Sequence, residues 1–334
     1  MYQNCANGVV RIPVPLPGSP LKYTNSYLIK GERNLLIDTG FHRPECKVAL
    51  WAALEELGAS PDRTDVFITH HHSDHIGLAP ALAGTEGTIY IGETELHWLR
   101  SYETEGWGLF DKRFAAEGFP MDEIVRLRGE NPARVFAPPP CDRYVPVKDG
   151  QVLSYGGWQL VCRRMPGHTP GHMCLHLPEQ KLMFLGDHVL FDITPNIVAW
   201  PGVENALADY LGSLRLLREY DIDVPLPGHR EVSCPLSDRI QALLGHHADR
   251  LKETEQILQR RPGLSAYELA GHLTWNIRSR SWETFPLAQK WFAVGETMAH
   301  LDYLLAEGSV SAEEDEKGVR RYALTGEGEE HGHG

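Results

Sequence analysis

Within the run Thr69-His-His-His-Ser-Asp-His-Ile-Gly77, His70, His72, Asp74 and His75 stand in the spacing His-x-His-x-Asp-His. Neutral imidazole and carboxylate are the ligands that zinc takes, and a catalytic ion keeps one coordination position for water. On extended backbone, His70 and His72 point the same way by the two-residue period, while Asp74 and His75 continue into the turn and can face a second ion. A lone His-x-His is a weak signal, because a satisfied histidine is commoner than a ligand. Here three further groups stand in comparable places: His168 in Pro166-Gly-His-Thr-Pro-Gly-His172, Asp187 in Gly186-Asp-His188 and His229 in Pro227-Gly-His-Arg230. Chance would have to place all of them at strand ends beside glycine-containing turns, so the pattern reads as a site for metal, with two ions rather than one.

The elements that must position these groups are short. Asn25–Ile29, Asn34–Asp38 and Asp65–Thr69 read as strands, and Cys46–Leu57 carries helical spacing through Val48, Leu50, Ala53 and Leu57. Trp158–Met165, Lys181–Leu185 and Asp223–Leu226 are further strands, the last after a helix over 205–220. Four strand ends therefore each deliver a ligand, which is where α/β proteins gather reactive groups.

Between 93 and 145 the pattern turns aromatic and helical (His97, Trp98, Tyr102, Trp107, Phe110, Phe114, Phe119) and ends in Ala137-Pro-Pro-Pro140. This stretch reads as a cap-like insertion over the site, with a helical layer packed on the sheet as the equal alternative. After Arg261-Pro-Gly263, helical segments over Ser265–Leu273 and Ala288–Glu307 and a hairpin through Gly308–Val310, Gly318 and Arg321–Leu324 suggest a small separate domain. The expected division is a catalytic domain at 1–245, the small domain at 246–326 and a disordered tail at 327–334, made of Gly, Glu and His only. His331 and His333 are read as part of that tail rather than as a metal site.

Apolar residues make up 42% and charged residues 23% of the 334, the composition of a globular protein. Acidic residues outnumber basic ones, 45 to 32, and the formal charge of −13 repels a phosphate backbone. Nucleic acid is not the favoured partner. The six cysteines lack any C-x-x-C spacing and read as thiols in a reducing compartment. The segment Met1–Gly8 lacks the basic start and apolar stretch of a secretory signal, and no apolar run approaches membrane-spanning length. The expectation is a cytoplasmic protein without membrane contact.

The motif at 69–77, Pro-Gly-His-Thr at 166–169, Gly-Asp at 186–187 and Pro-Gly-His at 227–229, in that order after Asp38-Thr-Gly40, resemble the metallo-β-lactamase-fold hydrolases over about residues 8–240. The resemblance implies an α+β fold, a four-layer αβ/βα sandwich of two mixed sheets with helices outside. It implies one metal on His70, His72 and His168, the other on Asp74, His75 and His229, and Asp187 bridging both. Zinc is the expected ion, with manganese or iron as alternatives, and a metal-bridging hydroxide would be the nucleophile. Two ions lower the pKa of bound water and clamp the attacked oxygen, and Asp74 would orient that hydroxide and exchange a proton with the leaving group. Asp38 is expected to hold the other ring nitrogen of a ligand. Thr39 and Gly40 would shape the turn, and His71, His172 and His188 are read as packing or surface residues.

The fold does not choose the substrate. The run Pro166–Met173 looks like the glyoxalase II-type members, which cleave glutathione thioesters. The tail, through 245–258 and 299–310, resembles a branch that includes lactamase-like endoribonucleases, which append a winged-helix-like unit. A nucleic-acid reader would carry a basic wing, whereas Ser311-Ala-Glu-Glu-Asp-Glu-Lys317 is acidic. The unit is therefore read as narrowing the site's mouth or mediating a homodimer. Trp107, Phe110 and the loop Thr194–Trp200 are expected to line an apolar pocket, and Arg230 to hold an anionic group of the substrate. The expected reaction is hydrolysis of a small thioester or ester. The alternatives are a phosphodiesterase or endoribonuclease of the same fold, a mononuclear iron persulfide dioxygenase, and a non-catalytic metal-binding protein.

Overall fold

Seven strands pair in chain order to form the first sheet: β1 (Gln3–Ala6), β2 (Val9–Pro15), β3 (Tyr23–Ile29), β4 (Asn34–Ile37), β5 (Thr64–Ile68), β6 (Ile89–Gly92) and β7 (Tyr144–Val147). The computed structural model of the chain describes residues 2–6, 8–84, 86–104, 107–276 and 281–326. The expected tail at 327–334, with His331 and His333, lies outside the described residues. β1 to β4 run antiparallel and β4 to β7 parallel, with Leu36 opposite Val66 and Val66 opposite Ile89. Parallel strands are covered on both faces, and the unbroken apolar runs Leu35-Leu-Ile37 and Val66-Phe-Ile68 meet that requirement, every residue being buried.

The second sheet holds β8 (Val152–Tyr155), β9 (Trp158–Arg164), β10 (Met173–Leu177), β11 (Leu182–Gly186) and β12 (Val224–Pro227), in the order β12-β11-β10-β9-β8. One apolar cluster joins the sheets, with Tyr27, Ile29, Leu35, Ile37 and Phe67 from the first against Leu160, Cys162, Leu175, Phe184 and Leu226 from the second. A second cluster covers the other face of the first sheet, where Leu28, Leu36, Val66 and Ile68 meet Cys46, Leu50 and Leu54 of α1 (Pro44–Glu56). Proline at the first position of α1 suits a helix start, since the missing N–H is an orphan there. This is the αβ/βα sandwich expected from the motifs.

The remaining helices are α2 (Ser73–Ile76), α3 (Ala79–Leu82), α4 (Glu93–Thr104), α5 (Gly108–Ala116), α6 (Met121–Glu130), α7 (Pro132–Val135), α8 (Ala206–Leu217), α9 (Leu236–Arg260), α10 (Ala266–Ala270) and α11 (Leu287–Ala306), and a hairpin of β13 (Val310–Glu314) and β14 (Arg320–Leu324) follows them. The chain divides into two units, one of Met1–Gly106, Asn131–Pro195 and Tyr210–Gln241, the other of Trp107–Glu130, Asn196–Asp209 and Ala242–Gly334. Both sheets lie in the first.

The division differs from the expected one. The stretch 93–145 is split, with α4 and α7 in the first unit and α5 and α6 in the second. The rings explain this: Phe114 of α5 stacks on Trp291 of α11 at 4.8 Å, and Phe119 meets Tyr267 of α10 at 5.2 Å, so α5 buries its aromatic face against the C-terminal helices. The buried Glu117 carboxylate accepts bonds from Tyr322 Oη of β14 at 2.8 Å and from Arg320 at 3.1 Å. The expected boundary at 245 lies close to the observed break between Gln241 and Ala242, and both fall inside the continuous α9.

Candidate metal centre

β4 ends at Ile37, and Asp38 then turns into the left-handed region with φ 57°, a conformation that Asp and Asn tolerate better than most residues. β5 ends at Ile68, and Thr69 to His72 lead into α2, whose first turn carries Asp74 and His75. His70 and His72 fall on one side, ring centroids 4.6 Å apart, whereas the intervening His71 points to Glu95 of α4. The loop between β9 and β10 delivers His168, the end of β11 Asp187, and the end of β12 His229. Asn25 and Tyr27 of β3 hold that last turn, donating to the carbonyl of Pro227 at 3.0 and 2.7 Å.

Three groups of ligand atoms result: His70, His72 and His168; Asp74, His75 and His229; and His70, His75 and Asp187, each set within 4.8 Å. His70 Nε2 lies 3.0 Å and His168 Nε2 3.1 Å from His72 Nδ1. Asp187 stands between the first two groups, with Oδ1 3.5 Å from His75 Nε2, Oδ2 3.3 Å from His229 Nε2 and 3.9 Å from His168 Nε2.

The tautomers follow from the outer bonds. His75 donates Nδ1–H to Asp38 Oδ2 at 2.8 Å, and His229 donates Nδ1–H to the carbonyl of Tyr23 at 2.8 Å. When neutral, each ring therefore turns an Nε2 lone pair toward the other, at 3.2 Å. Two lone pairs at that distance repel unless a proton or a metal cation lies between them. Thr69 Oγ1 donates to Asp38 Oδ2 at 2.8 Å and so accepts Nδ1–H of His70 at 3.0 Å, leaving His70 Nε2 as a lone pair as well. The donor set and its directions fit metal cations.

Electrostatics agree. Burial drives His70 and His72 well below the usual imidazole range, with the neighbouring histidines adding to it, so both are neutral and able to ligate. Burial opposes charge on His75 and His229 too, but Asp187 and the other carboxylates outweigh it, raising His75 well above that range and His229 to about 9. Against its own burial, Asp74 is held to about 2 by the charge of His75 and the bond to His229, and Asp187 is held well below the carboxylate range by the same two histidines. The cluster keeps its carboxylates ionised and attracts positive charge to the pair His75–His229.

The profile of the metallo-beta-lactamase superfamily matches residues 20–229. The chain belongs to that superfamily. A second profile, the metallo-beta-lactamase-like C-terminal domain, matches residues 283–325. Over 327 residues the metallo-beta-lactamase superfamily chain is 26% identical to the probable metallo-hydrolase YqjP of Bacillus subtilis (strain 168), covering 91% of this chain and 93% of that protein. It is 31% identical over 214 residues to the acyl-coenzyme A thioesterase MBLAC2 of Gallus gallus, covering 61% of this chain and 72% of that one. Among solved structures it resembles the metallo-beta-lactamase family protein TTHA1429 from Thermus thermophilus, with a TM-score of 0.81 and 30% identity over 95% of this chain and 99% of that one.

The structure thus brings His70, His72, Asp74, His75, His168, Asp187 and His229 together, with Asp38 behind Thr69 and His75. The residues expected at the substrate make the following contacts. Phe110 is 2% exposed in the second unit, with Trp107 at 5.5 Å and Trp200 at 5.3 Å. Arg230, with φ 63°, donates to the carbonyl of Pro20, remote in the chain, at 2.5 Å. His172 takes the N–H of Asp187 on Nε2 at 3.2 Å and so braces a ligand backbone. His188 is buried, and burial pushes it down to about 3. Sequence reasoning missed Thr69 and Glu95. The first is signalled only by lying beside His70, the second by nothing in its own neighbourhood.

Proposed function

We propose that this metallo-hydrolase holds two divalent ions, zinc foremost, and hydrolyses a small thioester or ester. The single observation that carries the two-ion reading is the place of Asp187, whose carboxylate lies within 3.9 Å of ligand nitrogens of both histidine groups, with Oδ1 buried and lacking a hydrogen-bond partner. The nearest cationic group to Oδ1 is His75 Nε2, at 3.5 Å, and a buried ionised oxygen that makes no hydrogen bond is stabilised by a cation close to it. His70, His72 and His168 would hold one ion, Asp74, His75 and His229 the other, with Asp187 shared. When bound, such ions lower the pKa of water and stabilise negative charge on the attacked oxygen.

The chain's own residues supply the rest. Asp38 fixes His75 directly and His70 through Thr69, so one buried carboxylate orients a ligand in each half. Asp74 has its side chain 13% exposed, against 0% for His229 and 9% for Asp187, and is the more exposed of the two carboxylates. Held as an anion, it accepts a hydrogen bond from the attacking water and passes the proton to the departing sulfur or oxygen. The likeness to an acyl-coenzyme A thioesterase supports a thioester substrate. The order α10, α11, β13, β14 supports a winged-helix-like reading of the C-terminal segment, and its acidic hairpin supports a role other than nucleic-acid binding.

Metal analysis and a substrate panel test this. Two equivalents of zinc or manganese and turnover of acyl thioesters are the expected result. One iron per chain with oxygen consumption on a persulfide overturns it, as does turnover of bis(p-nitrophenyl) phosphate alone.

A further inference from the structure

Glu95 lies in the first turn of α4, three residues beyond β6, and its side chain is fully buried. It has no place in the metal groups. Its Oε2 accepts the backbone N–H of His71 at 2.8 Å and Nδ1–H of the same residue at 2.5 Å, and its Oε1 accepts the backbone N–H of Gly171 at 2.7 Å. The two partners sit on different ligand loops. His71 is the residue between His70 and His72, and Gly171 belongs to the loop that delivers His168.

The same helix grips His71 a second time. Tyr102, two turns beyond Glu95 on one face of α4, brings its hydroxyl to 3.3 Å from His71 Nε2. With Nδ1–H committed to Glu95, Nε2 accepts the phenolic proton, so the ring is fixed at both nitrogens. Gly171 fits this arrangement and no larger residue does: a Cβ there would lie 2.5 Å from Thr94 Cβ and 2.8 Å from Glu95 N.

A carboxylate buried at this depth is unfavourable unless hydrogen bonds repay its desolvation, and a hydrophobic residue would pack the same space without that need. The bonds it makes are what distinguish it. Each oxygen takes a backbone N–H from one loop, so a single rigid group spans the gap between the His70–His72 segment and the His168 segment. The first-turn position adds the favourable helix dipole.

We propose that Glu95 is a positioning residue that locks the two loops at the separation bringing His70 Nε2, His72 Nδ1 and His168 Nε2 together, and thereby sets metal affinity in that half of the centre. This rests on the two-ion reading. The His75–His229 half is held through Asp38 and Tyr23, and the hydrogen bonds of Glu95 do not reach either of them.

Glu95→Gln keeps the volume but offers one acceptor and one NH2, so one loop N–H faces a donor. Gly171→Ala keeps the carboxylate and displaces one loop. Zinc affinity of both full-length variants, resolved into first and second equivalents by competition with a chelating indicator, tests the proposal. The expected result is that one equivalent weakens about 10–100-fold and the other stays within about threefold of wild type. A general loss of packing would weaken both alike, and that outcome overturns the proposal, as does wild-type affinity for both ions. If Glu95→Gln does not fold, Gly171→Ala decides by the same criteria. Wild-type protein that binds no divalent ion refutes the two-ion reading itself, a result separate from either.

Discussion

Asp38→Asn isolates the orientation of ligands from their presence. Asn tolerates the left-handed φ of 57° at this position, so the backbone of the turn is retained. The carboxylate takes three donors: Thr69 N–H on Oδ1 at 2.9 Å, and Thr69 Oγ1–H and His75 Nδ1–H on Oδ2, both at 2.8 Å. An amide has one acceptor oxygen. With its NH2 at the Oδ1 place, it faces the Thr69 N–H in a fully buried setting. With its NH2 at the Oδ2 place, His75 must accept at Nδ1 and carry its proton on Nε2, the atom 3.2 Å from His229 Nε2 and 3.5 Å from Asp187. The first arrangement costs about 1–3 kcal/mol for an unsatisfied buried donor. The second removes a metal-binding lone pair. Losing an orienting partner weakens metal affinity about 10–100-fold, which is about 1.4–2.8 kcal/mol and agrees with the hydrogen-bond figure. The assay is zinc competition at fixed pH, with 15N NMR of the histidine rings reporting the His75 tautomer. Affinity within twofold of wild type, together with a proton still on Nδ1, would refute the reasoning.

Three other outcomes follow from the geometry. A Cβ at Gly228 would overlap Asp187 Oδ1 and stand 2.9 Å from His75 Cε1, so Gly228→Ala is expected to abolish binding of at least one ion, measured as metal content after dialysis, while the circular dichroism spectrum stays that of the wild type. Asp74→Ala is expected to lower kcat on a thioester by about 10²-fold or more, with an unchanged rate counting against its role in proton transfer. In the second unit, His247 of α9 donates Nδ1–H to His300 Nε2 of α11 at 3.1 Å, and burial holds both rings below the usual range and neutral. A histidine depressed on folding binds its proton first in the unfolded chain. Its stabilisation is therefore present above about pH 6.5 and is lost as pH falls below it, by about 1.4 kcal/mol per pH unit for each group. His247→Phe should flatten the dependence of the urea midpoint between pH 7.5 and 5.5, and an unaltered slope would show that the pair does not titrate on unfolding.

What the sequence disclosed and what it withheld divide along one physical line. His70 and His72 were legible because the two-residue period of extended chain is a local rule, and Asp74 and His75 because a turn follows within the same run. His168, Asp187 and His229 were legible because each ends an apolar run at a glycine turn, even though the pairing of their strands was not specified by those runs. β10, Met173-Cys-Leu-His-Leu177, escaped notice because it is buried on both faces and has no alternation to mark it. The helices after residue 93 were visible as helices. Their partners were not, because the aromatic signal of Phe114 and Phe119 does not say that one stacks on Trp291 and the other meets Tyr267 edge-on, far along the chain. Glu95 is the sharpest case. In the sequence it is one acid in the first turn of an acidic helix, where the dipole alone justifies it. Its significance comes from β6, which sets α4 beside two loops that are remote from each other in the chain, so a carboxylate needed to balance His71 and Gly171 is chosen by tertiary position and leaves no mark at its own place. A centre of this kind can be found from its ligands, whereas the groups that hold the ligands in register become visible only once the loops are folded together.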